Sequence, residues 1–261
     1  MKKLLLLTLP ILFALPNFAH ADITTGLQGW WQFNGDTLDY SGSGNNGTAV
    51  GSPSYVAGNL YSQAISLNGT SQYVDMRNTN DFSTGSFSVS GWFYCVSTLP
   101  TNPGLVIKGT NSGVTVRYEM YVNNTCTNPS VLVADGTASV IVSGSGSIGG
   151  FGNWFMVTMV VDRGTQVMSL YVNGVFKNSS SISAIGSVSN SVALRVGNTS
   201  DNRRFHGYMQ DFRIYNRALS SSDVTQLYAY NPTPPATATL TSFLFHLGAV
   251  FQVFKGAGLQ I

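Results

Sequence analysis

Period-two alternation of apolar and polar residues recurs along this chain, and helical periodicity is nearly absent. Successive side chains of a strand point to opposite faces, so this pattern builds half-buried sheet rather than helix. Phe87, Val89, Phe93 and Cys95 share one face of a segment whose other face carries Ser86, Ser88 and Ser90. Val114, Val116, Tyr118, Met120 and Val122 alternate in the same way with Thr115, Arg117, Glu119 and Tyr121. Phe155 to Val161 is more continuously apolar, and after Asp162-Arg163-Gly164 the run Val167 to Val172 puts Met168, Leu170 and Val172 on one face. Asn173-Gly174 then reverses the chain, because a type I′ turn needs positive φ at both central residues and this pair tolerates it. One short helix is predicted near the end: Ser220 caps it with Asp223 three residues on, and Val224, Leu227 and Tyr228 form its apolar stripe. Asn231-Pro232-Thr233-Pro234-Pro235 stops both the helix and the domain. Many short strands with Gly-rich turns and one terminal helix predict an all-β fold, an antiparallel two-sheet β-sandwich or jelly roll with a short C-terminal helix.

The two extremities read differently. Lys2 and Lys3, the apolar run Leu4 to Leu15 and Ala19-His20-Ala21 form a secretory signal peptide over residues 1–21. The run is shorter than the roughly 20 residues a bilayer span requires. The predicted domain is residues 22–231, in a secreted protein of an extracellular or periplasmic compartment. Residues 232–261 form a Pro-rich linker and an apolar tail, Leu240 to Phe254, interrupted by His246 and Gln252. The tail is too short and too broken for a stable transmembrane span, and docking on another protein, association with membrane and weakly ordered sequence are all open for it.

Only 9% of residues are charged, against about 25% in ordinary domains. Gly, Ser, Thr and Asn fill the polar positions, which makes an uncharged, hydrogen-bonding surface. There is no Lys/Arg run, so the electrostatic footprint of a nucleic-acid binder is missing. Two cysteines, Cys95 and Cys126, follow the signal segment; export permits a disulfide between them, and two buried thiols are the alternative.

The two ends of the predicted domain share a composition. Gly26-Leu27-Gln28-Gly29-Trp30-Trp31-Gln32-Phe33-Asn34-Gly35-Asp36 leads into Asp39-Tyr40-Ser41-Gly42-Ser43-Gly44-Asn45-Asn46-Gly47, and near the end stands Gly207-Tyr208-Met209-Gln210-Asp211-Phe212-Arg213-Ile214-Tyr215-Asn216-Arg217-Ala218-Leu219-Ser220. Each reads as a strand with a polar segment of carboxylates and permissive residues, the makeup of an oxygen-ligand cation site. Calcium takes six to eight oxygens at about 2.3 to 2.6 Å from carboxylates, amides and carbonyls. Asp36, Asp39, Asn45, Asn46 and Asp211 supply side-chain oxygens, and Gly42, Gly44 and Gly47 let the loop curl. A metal-free turn, with Asp39 and the asparagines bonded to their own backbone, is the alternative.

These segments, with Ser86-Phe87-Ser88-Val89-Ser90-Gly91-Trp92-Phe93 and Leu170-Tyr171-Val172-Asn173-Gly174, resemble in order the laminin-G-like branch of the concanavalin A-like jelly rolls over roughly residues 26 to 230. The resemblance implies two stacked antiparallel sheets with the chain ends side by side. It also implies a structural calcium near those ends, with Asp39 and Asp211 on the matching acidic positions, and a secreted carbohydrate- or protein-binding role. The family often has Asp where this chain has Asn34, and Asp36 stands two residues on.

Candidate binding residues follow from the same reading. Alternation puts Trp31 and Phe33 inward and Trp30 on the opposite face, where it is either a stacking platform for a sugar or covered by neighbouring structure. Arg203 and Arg204, in the loop before the last strand, either grip a carboxylate or belong to a solvated turn. A glycoside hydrolase needs two carboxyl groups roughly 5 to 9.5 Å apart. The only glutamate, Glu119, has Arg117 and Tyr121 as same-face neighbours, so no strand carries an acidic pair. His206 and His246 are too few for a zinc cluster, and no nucleophile elbow is present. The function expected is a non-catalytic module that binds glycan with a structural calcium ion. A protein-binding adhesive module is the second expectation.

Overall fold

The computed structural model describes residues 22–97, 99–110, 115–144 and 148–232. The predicted signal segment, residues 1–21, and the predicted apolar tail lie outside the described residues.

The described residues form fifteen strands and one helix. The first five strands are β1 (Leu27–Trp31), β2 (Thr48–Val50), β3 (Ser54–Ala57), β4 (Gln63–Asn68) and β5 (Tyr73–Asp75). The next five are β6 (Phe87–Cys95), β7 (Gly104–Gly109), β8 (Arg117–Val122), β9 (Pro129–Ala134) and β10 (Ser139–Ser143). Then come β11 (Trp154–Asp162), β12 (Val167–Val172), β13 (Val175–Ser181), β14 (Leu194–Val196), β15 (His206–Tyr215) and α1 (Ser221–Ala229). One sheet has eight strands in the order β13-β12-β11-β6-β15-β4-β3, with β1 also on β15; the other has seven, β10-β9-β8-β7-β14-β5-β2. All pairings are antiparallel, which is the predicted sandwich.

The alternation read from the sequence sets the inner faces. Phe87, Val89, Phe93 and Cys95 of β6 meet Tyr118, Met120 and Val122 of β8 in one core, with Trp31, Phe33, Phe155, Met168, Leu170 and Phe212. The hairpin turn has φ 51° at Asn173 and 76° at Gly174, the doubly positive geometry the dipeptide favours. Ser220 caps α1 reciprocally with Asp223.

The outer faces depart from expectation: alternation predicts a half-buried β6, and the strand is buried on both sides. Helix α1 and the segment leading to it lie over the outer face of the eight-stranded sheet. Trp92, Met156, Val160, Tyr215, Leu219, Val224 and Leu227 form a second apolar cluster there. The serines beneath it are paired: Ser90 Oγ lies 2.8 Å from Thr158 Oγ1, and Ser88 Oγ donates to Arg217 O at 2.9 Å and accepts from Leu219 N at 3.0 Å. Small hydroxyls let a helix sit close and still satisfy their own hydrogen bonds, so a serine face marks covered as readily as exposed sheet.

Cys95 and Cys126 are joined in a disulfide, with 6.4 Å between their Cα atoms across 31 residues. Closing a loop of that size restricts the unfolded chain by about 4 kcal/mol. Replacing both cysteines with serine should lower Tm by about 7 to 15 °C in calorimetry. An unchanged Tm would show that the bridge adds no stability.

Candidate functional site

Residues of β8 that point away from the core, Arg117, Glu119 and Tyr121, face the outside of the seven-stranded sheet. Cross-strand pairing extends this row: Glu119 lies opposite Leu132 of β9, which lies opposite Ile141 of β10, while Tyr121 lies opposite Ser130 and Ser130 opposite Ser143. The loop from Thr199 to Phe205 leans over the row. Gly104 is needed for that approach, because a Cβ there would come within 2.3 Å of the Thr199 methyl.

The result is a groove in two parts that meet at Asn102 and Tyr121. One part, about 350 Å³, is lined by Arg117, Glu119, Leu132, Ile141, Asp201 and Arg203. The other, about 280 Å³, is lined by Asn123, Asn128, Ser130 and Ser143. Arg203 organises the first part. Its Nη2 donates to Glu119 Oε1 at 2.7 Å, its Nε to Asp201 Oδ2 at 3.0 Å, and its Nη1 to the Asn102 carbonyl. Arg117 Nε lies 3.4 Å from Glu119 Oε2, so two guanidiniums flank one carboxylate that is 1% exposed. Asp201 also accepts from the Thr199 hydroxyl, and Arg203 N donates to Thr199 Oγ1 at 2.9 Å, which fixes the loop.

Among the sequence candidates, Arg203 lines this groove and Arg204 does not; Arg204 Nη2 donates to Asn202 Oδ1 within its own loop at 2.9 Å. Trp30 is not an open platform. Its Nε1 donates to Asp211 Oδ1 at 2.7 Å, and its ring lies 4.5 Å from the Arg213 guanidinium with Tyr40 and Tyr230 edge-on at 6.2 and 6.3 Å. Sequence reading weighs Glu119, with Arg117 and Tyr121 beside it, only as a catalytic pair and sets it aside, and it passes over Asn102. Their signal was the only glutamate of a charge-poor chain, set on a strand face between an arginine and a tyrosine. The acidic pair that no strand carries is assembled in space by Glu119 and Asp201, with Arg203 donating to both.

The expected calcium ligands do not form one oxygen cage. Asp39 folds its own loop, accepting from Trp30 N at 3.0 Å, Ser41 N at 2.9 Å and Asn45 N at 2.8 Å. Asn45 Nδ2 donates to Gln28 O at 3.1 Å, and Asp36 accepts from Leu38 N and the Tyr40 hydroxyl. Asp211 is buried in an ion pair with Arg213 at 3.0 Å. Among the described residues no three of His, Cys, Asp or Glu are grouped to hold a metal. The set Asp36, Asp39, Asn45 and Asp211 therefore does not fit calcium: its carboxylates are spent on backbone amides and on a guanidinium.

Burial raises the Glu119 carboxyl above the usual glutamate range, and the attraction of Arg203 and Arg117 offsets only part of this. A carboxyl whose pKa is higher folded than unfolded contributes stability that is complete below the ordinary glutamate value and is lost as pH rises through the raised one. Glu119→Gln, neutral at every pH, should therefore gain on the wild type in thermal melts as pH goes from about 4 to 7. A difference that moves the other way would mean that the arginine pairs outweigh burial.

Residues 68–225 match a family model described as the concanavalin A-like lectin/glucanases superfamily. Comparison with curated protein sequences gave no match. Among solved structures, the binding domain of Paraclostridial Mosquitocidal Protein 1 superposes with a TM-score of 0.66 at 20% identity, covering 79% of this chain and 52% of that one. Domain 4 of AbnA, a GH43 extracellular arabinanase from Geobacillus stearothermophilus solved with arabinotriose, gives 0.63 at 22% identity, covering 77% and 98%. The binding domain of Botulinum Neurotoxin DC, solved in complex with SialylT, gives 0.62 at 17% identity, covering 79% and 52%. The chain thus spans about half the length of the two toxin domains and nearly all of the arabinanase domain. At these identities the structures share the fold, and the match over most of the domain makes this chain a member of the concanavalin A-like lectin/glucanases superfamily.

Proposed function

We propose that this protein is an exported, non-catalytic module that binds uncharged glycan chains in the groove over β8, β9 and β10. The observation that carries this reading is the makeup of that groove. Tyr121 stands where its two parts meet, amides and hydroxyls line one side, and a self-neutralised cluster lines the other. A sugar offers hydroxyls that both donate and accept, along with apolar C–H faces that pack on an aromatic ring. Asn102, Asn128, Ser130 and Ser143 supply the complementary groups, and the partly exposed carboxylate of Asp201 accepts from hydroxyls. All three nitrogens of Arg203 already donate within the protein. Gripping an acidic sugar would break those bonds, which favours a neutral ligand. The same bonds keep Glu119 and Asp201 from dividing acid and nucleophile roles. The arabinanase domain solved with arabinotriose and the toxin domain solved with SialylT support a glycan ligand on this fold. The disulfide supports export, and no helix among the described residues is long and apolar enough to cross a membrane.

A protein-binding role has one observation in its favour: Val175 and Phe176 at the start of edge strand β13 are 57% and 52% exposed. Calorimetric titration with arabinotriose, other neutral oligosaccharides and a sialylated one separates the readings. Binding of a neutral member, weakened about tenfold by Tyr121→Ala and untouched by Phe176→Ser, is expected. No heat with any neutral oligosaccharide, or loss of binding only in the Phe176 variant, would reject the groove.

A further inference from the structure

Strand β15 changes partner along one edge. From His206 to Met209 it pairs with β4, and from Phe212 to Tyr215 with β1, while β6 runs along its other edge. Gln210 and Asp211 fall between the two partners, where the register with β6 also shifts. Asp211 takes φ 50° there. Gln210 is fully buried, and its Oε1 accepts from Asn59 N and Leu60 N at 3.0 and 2.8 Å.

Around Asp211 the polar contacts converge on one oxygen. Oδ1 accepts from Trp30 Nε1 at 2.7 Å, from the Tyr61 hydroxyl at 3.1 Å and from Arg213 Nε at 3.0 Å, with Arg213 Nη2 also at 3.0 Å. The guanidinium, 2% exposed, lies between two rings, 4.5 Å from that of Trp30 and 4.3 Å from that of Tyr230. Trp30 belongs to the first strand and Tyr230 to the C-cap of the terminal helix. Four residues later Arg217 repeats the arrangement in half-exposed form. It donates to Thr25 O at 2.8 Å and Asp22 O at 3.3 Å at the start of the domain, and to Asp223 Oδ2 of α1 at 2.7 Å.

We propose that Arg213 is the cation that closes this domain: its guanidinium stands beside Asp211 where a divalent ion would be needed, and clasps first strand, last strand and helix without metal. A guanidinium suits the site because it is permanently charged, delivers donors in a fixed plane and stacks on aromatic faces. A calcium ion held by the Asp211 carboxylate would stand beside the like charge of Arg213, against an acceptor whose Oδ1 already takes an indole, a phenol and a guanidinium.

The test is calorimetry of the full chain in calcium and in excess EDTA, with terbium luminescence as a second readout, since a lanthanide at Asp211 would be sensitised by Trp30. Wild type should melt within about 1 °C in both solutions and give no indole-sensitised terbium emission. Arg213→Gln should lower Tm by about 10 °C, and Arg213→Lys, which keeps the charge and loses the fork, should recover only part of that. If Arg213→Gln does not fold, Trp30→Phe keeps a ring on the guanidinium and removes one donor to Asp211; it should melt a few degrees below wild type. A wild-type Tm that rises with calcium, sensitised terbium emission from wild type, or an Arg213→Gln protein as stable as wild type would each overturn the proposal.

Discussion

Strand β15 has to meet the backbone hydrogen bonds of three neighbours, and the domain depends on how it does so. A regular strand has two edges and one partner on each. Here β6 takes one edge whole, while β4 and β1 divide the other, so the point of division must satisfy its own polar groups. Gln210 does this with side-chain bonds to the Asn59–Gln63 segment, and Asp211 by accepting from Trp30, Tyr61 and Arg213. The partner change brings the N-terminal strand onto the last strand, and α1 then has a surface of Trp92, Met156 and Tyr215 to cover. A polar seam between two apolar layers is costly when half-satisfied and specifies one arrangement when fully bonded.

Much of this architecture is legible in the sequence, because inward alternation has a single solution in a sandwich. The faces of β6, β11 and β12, the Asn173-Gly174 turn and the Ser220 cap are local features, read from spacing alone. What the sequence conceals is the second partner of each surface. Ser88 and Ser90 look solvent-facing until α1 is placed over them, and Trp30 looks like an open ring until Arg213 and Tyr230 are placed against it. Arg213, Asp211 and Trp30 lie 2 and 181 residues apart in bonded pairs. No periodicity links them, and a carboxylate that looks like a metal ligand in one dimension proves to be a guanidinium acceptor in three.

The groove was concealed for a related reason. Glu119 was visible as an isolated acid on a strand, but its meaning depends on Asp201 and Arg203, which arrive from a loop on the far side of the sequence. The chain is sparing with charge, and it gathers four charged side chains at this one place on the sheet. Because they neutralise one another, the groove presents fixed hydrogen-bonding geometry with little net field.

The placement of the chain ends also has a mechanical consequence. In the antiparallel pair of β1 and β15, Leu27 stands opposite Tyr215, so the N-terminal lead-in and the exit toward α1 lie at the same end of the ladder. Tension drawing those ends apart loads the ladder by unzipping, one hydrogen bond after another, rather than by shearing all of them together. Arg217, tied to Asp22, Thr25 and Asp223, sits across the first tooth of that zipper. Deeper in, the stack of Trp30, Arg213 and Tyr230 makes a second latch. In this geometry two arginine side chains stand across the path along which the ladder would open.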